Sequence, residues 1–373
     1  MNYFVRSIIF FIFVICSFYY AWSEGERRIS DEEYTKVSAS TPALIVRNIG
    51  YDHNAGNVVA VQTFMNVLDY STQERFYEKL DSYLQEGKRK GFLKEGTIVL
   101  FPEHIGTPLV LLGEKKDVYV ANNVSSAFRQ IILGDLFNYL RVSYGGVTGD
   151  NGQIVFRMKT NEMKSVYENT FRKLSSSYKV TIIAGSILLP ESEINANTNN
   201  IEIKNGNFLN SSFIFLPDGK IFSKILLKKN LAKTEKQVAN PGLPENSFLD
   251  FKNVGVVLSN DSIYLSTYND KVRNKEILLS PSILLEKDEI DWKNEDIYGK
   301  DTLDSALTQA ELWRKYSIFE KTKISQSNRV IIQVVMLGKF FDLVMEGESA
   351  GLIRYVATEG LDNKVPAILN VWF

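Results

Sequence analysis

Between Asn57 and Phe101 the chain passes from strand to helix to strand, and that alternation restricts what the whole can become. Asn57-Val58-Val59-Ala60-Val61-Gln62 is a short apolar run rich in β-branched valine, the signature of a strand. Ser71-Thr72-Gln73-Glu74 has the form of a capping box, and Phe76, Leu80, Tyr83 and Leu84 follow at helical spacing. Leu93 to Phe101 then returns to strand. Such an order is the βα alternation of an α/β layer fold.

The same alternation continues downstream. Asn123 to Val142 predicts a second helix, with Ile131, Ile132, Leu136 and Leu140 on one face directed at the core. Residues 160–178 predict a third. Val180 to Ser186 reads as a buried strand closing on a turn, in which Gly185 answers to a tight backbone approach. The polar, Asn-rich stretch 191–206 reads as a surface loop. Glu276 to Ser282 and Arg329 to Met336 are further strands; 285–300 reads as an exposed acidic insertion. Asp301 to Thr322 reads as a helix burying Ala306, Leu312 and Trp313. No internal repeat is evident.

At 373 residues, 45% hydrophobic and 23% charged, the chain has the composition of one large α/β domain or two small ones. A net charge of −1 and the lack of any basic block give nucleic acid no electrostatic footprint. Two histidines (His53, His104) and one cysteine (Cys16) offer no zinc-site spacing. A Ser–His–Asp triad would have to use one of those histidines. His104 directly follows Glu103, and neighbours in an extended chain point opposite ways, so such a triad is disfavoured.

Ser7 to Trp22 is almost uncharged and follows Arg6, as in a secretory h-region, with Ala21-Trp22-Ser23 as a small-x-small cleavage site. An uncleaved anchor is the alternative, with the aromatic cluster Phe18-Tyr19-Tyr20-Trp22 at the membrane interface. The expected organisation is a signal peptide or signal anchor at 1–23, a spacer at 24–56 containing one short strand at Ala43 to Val46, and a domain at 57–373. Export, with or without anchoring, is the expected location.

Three apolar runs end on reactive side chains. Thr97-Ile98-Val99-Leu100-Phe101-Pro102-Glu103 delivers a carboxylate after a proline that stops the strand. The segment 210–231 carries two strand-like runs around the turn Pro217-Asp218-Gly219 and delivers Lys228. Val254-Gly255-Val256-Val257-Leu258 runs into Ser259-Asn260-Asp261, the pattern of a nucleophile elbow that lifts one side chain off a strand end. A carboxylate, an ammonium and a hydroxyl in this order resemble the nitrilase (carbon–nitrogen hydrolase) superfamily, whose members carry a Glu–Lys–Cys triad on such strand ends. The likeness extends over roughly residues 57–357, including the Gly347-Glu348-Ser349 turn, with a family-variable tail beyond.

The resemblance implies a four-layer α-β-β-α sandwich, with Glu103 as general base, Lys228 as the oxyanion-side lysine and Glu235 as the second glutamate beyond it. Ser259 stands where the superfamily has its cysteine. It also implies a small amide- or acid-like ligand, no cofactor or metal, and pairing into homodimers; membrane contact is expected only through the N-terminal segment. A glutamate can deprotonate a thiol near pKa ~8.5, but a serine hydroxyl is far less acidic. The expected chemistry is therefore an impaired amidase. The alternatives are an active hydrolase or acyltransferase with Ser259 as nucleophile, and a non-catalytic scaffold or binding protein.

Overall fold

The computed structural model describes residues 3–25, 29–145, 149–285, 297, 313, 315–316, 318–319, 330–353, 356–357 and 360–373. The acidic stretch 286–296, the remainder of 298–312 with Ala306 and Leu312, and 320–329 lie outside the described residues. Trp313, inside the helix expected from Asp301 to Thr322, is helical and buried.

Two six-stranded sheets form the centre. The first runs Ile45–Ile49, Ala367–Trp372, Asn57–Gln62, Ile98–Leu100, Thr181–Ile183, Ile214–Phe215 in spatial order. The second runs Leu249–Phe251, Val254–Val256, Ile277–Ser282, Val330–Val335, Ala350–Ile353, Val356–Ala357. Alternation along the inner strands sorts side chains between layers. Val58, Ala60, Ile98, Leu100 and Ile183 of the first sheet meet Val254, Val256, Leu279, Ile332 and Val334 of the second in one apolar core. Their neighbours Val59, Val61, Val99, Phe101 and Ile182 face the other way, onto Phe76, Leu80, Leu84, Tyr167, Phe171 and Leu174. Those residues come from the helices Gln73–Arg89 and Asn151–Tyr178. Val257, Leu278 and Ile331 likewise meet Val272 and Ile318 on the outer face of the second sheet. The result is the expected α-β-β-α sandwich. Burial on both faces explains why the central runs read as continuous valine and isoleucine.

Several local expectations change. Thr72, not Ser71, caps the first domain helix, its side chain accepting from Arg75 N, while Phe76, Leu80, Tyr83 and Leu84 are buried as expected. Leu93–Phe101 contributes only Ile98–Leu100 as strand. The second helix breaks at Asp135 (φ −141, ψ 54) into Val124–Gly134 and Leu136–Tyr144. Of its apolar face Ile131 is buried, but Leu140 is 38% exposed.

The supposed loop 191–206 is instead a long hairpin of Ile187–Ile194 and Ile201–Ser212. Asn195 stabilises its turn by accepting from Asn197 N and Thr198 N. Ile201 and Ile203 alternating with Glu202 and Lys204 is the strand signal that the asparagines concealed.

Both chain-end expectations also shift. Residues 45–49, within the stretch read as spacer, form the edge strand of the first sheet. The tail read as variable supplies Ala367–Trp372, a strand with neighbours on both sides. At the amino end, Tyr3–Glu24 is one helix of 22 residues, long and apolar enough to cross a membrane by length and composition.

Candidate active site

Glu103 leaves the first sheet by a conformation that its neighbours impose. Pro102 stops the strand, and its carbonyl lies so close to Gly185 that a Cβ there would approach it to 1.9 Å. Gly185 has φ +57, open to glycine and strained for other residues. The Gly185-Ser186 turn then receives the outgoing chain: His104 N donates to Ser186 Oγ at 2.8 Å, and Gly106 N to Ser186 O at 3.0 Å. His104 itself has φ +58. The chain is therefore not extended at this point, and Glu103 and His104 reach the same cluster, contrary to the expectation that they diverge.

Lys228 follows the short strand Leu226–Leu227, which pairs with Ser211 and Ser212 of the hairpin. Lys228 N donates to Asn210 O at 3.0 Å, and Gly242 N to Lys228 O at 2.8 Å. The side chain, 1% exposed, sends its ammonium between two carboxylates: Nζ is 2.9 Å from Glu103 Oε1 and 2.5 Å from Glu235 Oε2. Ala232 N donates to the same Glu235 oxygen at 2.8 Å.

Asn210, which sequence reasoning passed over, closes the cluster. Its Nδ2 donates to Glu103 Oε1 and to Glu235 Oε1, each at 2.9 Å. Facing two carboxylates, the amide must present nitrogen rather than oxygen. His104 Nε2 lies 2.9 Å from Glu235 Oε1 and Nδ1 lies 2.8 Å from Thr107 Oγ1. Thr107 Oγ1 also accepts from Leu188 N at 3.1 Å, and Asn210 Nδ2 lies 3.1 Å from His104 Nε2. Two buried acceptors, Glu103 Oε2 and Asn210 Oδ1, have no hydrogen-bond partner among the described residues.

The electrostatics separate the two glutamates. Burial opposes charge on Glu235, but Lys228 and His104 outweigh it and hold this carboxyl well below the usual range. Burial also pushes Glu103 up; Lys228 pulls against that and Glu235 adds to it, and the net direction is upward. Burial opposes the Lys228 charge too, yet Glu103 and Glu235 together hold the ammonium well above an ordinary lysine. Glu235 is thus the standing counter-ion, and Glu103 the carboxylate with enhanced proton affinity. The latter is what a general base requires.

Ser259 ends Val254-Gly255-Val256-Val257-Leu258 in the left-handed region, at φ +31, and is wholly buried. A strained residue at a strand exit is the geometry of an elbow. The turn is closed by Asp261 N donating to Leu258 O at 2.8 Å and Ser262 Oγ to Ser259 O at 2.6 Å. Asp261 fastens it to the lysine segment, accepting from Lys229 N (2.9 Å), Asn230 N (2.7 Å) and Asn230 Nδ2 (2.8 Å). Burial pushes the Asp261 carboxyl up to about 6 against those hydrogen bonds. The Ser259 hydroxyl donates to Ile283 O at 3.3 Å, and among the described residues no hydrogen bond joins it to Glu103 or Lys228.

Of the four residues singled out from sequence, Glu103, Lys228 and Glu235 therefore meet directly. Ser259 sits on the adjoining turn, its hydroxyl engaged elsewhere. Glu103, His104 and Glu235 could offer one ligand atom each to a metal ion, all within 4.8 Å. The Lys228 ammonium already stands between the two carboxylates and supplies the positive charge there, so the set does not fit a further cation.

No family model and no curated protein matches the chain. Solved structures do. A double mutant of an amidase from Nesterenkonia sp. AN1 in complex with acrylamide shares 11% identity, with a TM-score of 0.51 over 87% of this chain and 92% of that one. A single mutant of the same amidase, carrying the acetamide moiety of fluoroacetamide on its active-site cysteine, shares 10% identity, with a TM-score of 0.50 over 84% and 89%. Another mutant, described as an amidase from the nitrilase superfamily, gives 0.48 at 11% identity over 85% and 91%. At such identities the likeness is one of architecture: this chain shares the fold of that Nesterenkonia amidase.

Proposed function

We propose that this protein is a carbon–nitrogen hydrolase-like protein that binds a small amide- or acid-like ligand and has impaired amidase chemistry. The observation that carries the reading is the buried ammonium of Lys228 held between Glu103 and Glu235, with Glu103 Oε2 left without a hydrogen-bond partner among the described residues. That oxygen is available to take a proton from a nucleophile or an N–H from a ligand, and Lys228 is placed to stabilise an oxyanion. The amidase of similar fold is seen, as a double mutant, in complex with acrylamide and, as a single mutant, with the acetamide moiety of fluoroacetamide on its active-site cysteine. Here the elbow carries serine, whose hydroxyl is bonded to Ile283 O rather than to a base. Activating it with a carboxylate alone would add several kcal/mol to the barrier, about a thousandfold or more in rate.

The second reading, an active hydrolase or acyltransferase, requires Ser259 to turn from Ile283 to Glu103. The proton would pass to Glu103, the hydroxyl oxygen would attack the carbonyl carbon, and Lys228 would stabilise the resulting oxyanion. The C–N bond would then break as the amine takes the proton back, leaving an ester for water to hydrolyse. The strained elbow favours this reading and the hydroxyl's present bond favours the first. Ammonia release from an amide panel by the wild type, Ser259→Ala and Ser259→Cys separates them. Turnover gained only with Ser259→Cys is the expected result; wild-type turnover abolished in Ser259→Ala establishes the serine nucleophile instead.

The same reading keeps the N-terminal helix attached as an anchor. The helix runs through Ala21-Trp22-Ser23 without a break, and residues on both sides of that site engage the domain. Lys115 Nζ donates to Trp22 O and Gly25 O, each at 2.5 Å. N-terminal sequencing of the protein from the membrane fraction tests this: an intact amino end is expected, and a start near Glu24 overturns it.

A further inference from the structure

The helix Leu136–Tyr144 carries Phe137, Leu140 and Tyr144 on one face at spacings of three and four, the pattern of a side meant for burial. They are 58%, 38% and 85% exposed, and Leu133 at the end of the preceding helix is 42% exposed. Single exposed apolar residues are ordinary on a protein surface. These form a row, and the row begins where the anchor arrives. The Tyr19 hydroxyl donates to Leu133 O at 3.0 Å and accepts from Leu136 N at 2.7 Å, using backbone groups freed by the break at Asp135. The Tyr19 ring meets Phe137 edge-on, with centroids 5.4 Å apart. Lys115 holds the next turn of the anchor, its ammonium 4.6 Å from the centre of the Trp22 ring.

We propose that this row rests in the headgroup layer of the membrane that the N-terminal helix enters; the inference depends on the anchoring reading above. Tyr19, Tyr20 and Trp22 are the aromatic residues expected at the interface end of a span. The row is continuous with that end by direct contact. Its composition suits the place: residues 136–144 include no acidic side chain, and exposed Arg129 and Arg141 flank the apolar positions. Phenylalanine, leucine and tyrosine edged by arginine is the make-up of an interfacial helix that lies flat on anionic lipid. The membrane contact then includes the domain itself, and the anchor fixes which face is turned to the bilayer.

The test uses the full chain with Cys16→Ser, reconstituted in vesicles of zwitterionic and anionic phospholipid. Single cysteines replacing Phe137, Leu140 or Tyr144 carry a fluorophore, as do Phe11→Cys in the anchor and Lys220→Cys on a distant-in-sequence turn. Labels at 137, 140 and 144 should be quenched by brominated lipid and shielded about five-fold from aqueous iodide relative to the label at 220. Iodide-accessible labels at 137, 140 and 144 beside a lipid-quenched label at 11 overturn the proposal while leaving the anchor intact. A label at 11 that is itself open to iodide shows instead that the anchoring reading has failed. Shielding from both quenchers, with cross-links between protomers through these cysteines, assigns the face to a second copy and also overturns it.

Discussion

Lys228 and Glu235 lie seven residues apart in sequence and 2.5 Å apart in space, Nζ to Oε2, inside a site from which solvent is largely excluded. Removing the cation leaves two buried carboxylates without their shared counter-charge, so Lys228→Met should cost about 3–5 kcal/mol. Removing Glu235 as well relieves most of that, because Glu103 can take up a proton. Lys228→Met with Glu235→Gln should therefore be less destabilised than the sum of the single variants, by about 1–3 kcal/mol. Urea unfolding of the four proteins measures the coupling.

Asp261 gives a pH dependence with a definite sign. Its folded carboxyl is pushed up to about 6 by burial, against about 3.9 when unfolded. Between those values the native state binds more protons than the unfolded state, so this group's contribution to stability falls as pH rises from 4 to 6 and is flat above 7. Asp261→Asn lacks the titration. The variant should gain on the wild type by on the order of 2–3 kcal/mol between pH 4 and pH 7. Denaturation midpoints at several pH values give the difference directly, whatever the fixed cost of the lost acceptor.

Gly185→Ala meets two obstacles at once, φ +57 and a Cβ 1.9 Å from Pro102 O. The loss should exceed about 2 kcal/mol, more than alanine costs at an open turn. Because the displaced backbone is that of Pro102-Glu103, ligand binding should weaken together with the fall in thermal midpoint. Ser186→Ala, which removes only the bond from His104 N, should cost about 1 kcal/mol.

At the elbow, Ser259→Gly and Ser259→Ala both remove the hydroxyl, but only glycine is at ease at φ +31. Glycine should be the more stable of the two by about 1 kcal/mol. Equal thermal midpoints would show that the backbone there is unstrained.

How far the sequence revealed this site depended on whether the cause was local. The strand runs ending in Glu103, Lys228 and Ser259 announced themselves through valine, isoleucine and proline, and the layered fold follows from the same runs. His104 did not. Its left-handed backbone comes from the contact of Pro102 with Gly185, some eighty residues away, and no local signal marks a histidine for that conformation. Asn210 was hidden for a similar reason. A polar residue between apolar strand positions was the available clue, but only the pairing of Lys228 N with Asn210 O sets its amide against the carboxylates. The break at Asp135 comes directly after Gly134, a helix-weakening residue that the expected helix ran through, and Leu140 of the exposed row beyond it looked like part of a core face because period alone cannot say what covers a helix.

The strand Ala367–Trp372 lies between Ile45–Ile49 and Asn57–Gln62. During translation the earlier two strands leave the ribosome roughly three hundred residues before the piece that joins them, and until then each presents an unfilled hydrogen-bonding edge. With the amino end tethered as proposed, the chain would wait in that open form, vulnerable to proteases and mispairing, until residues 367–372 are inserted like a keystone.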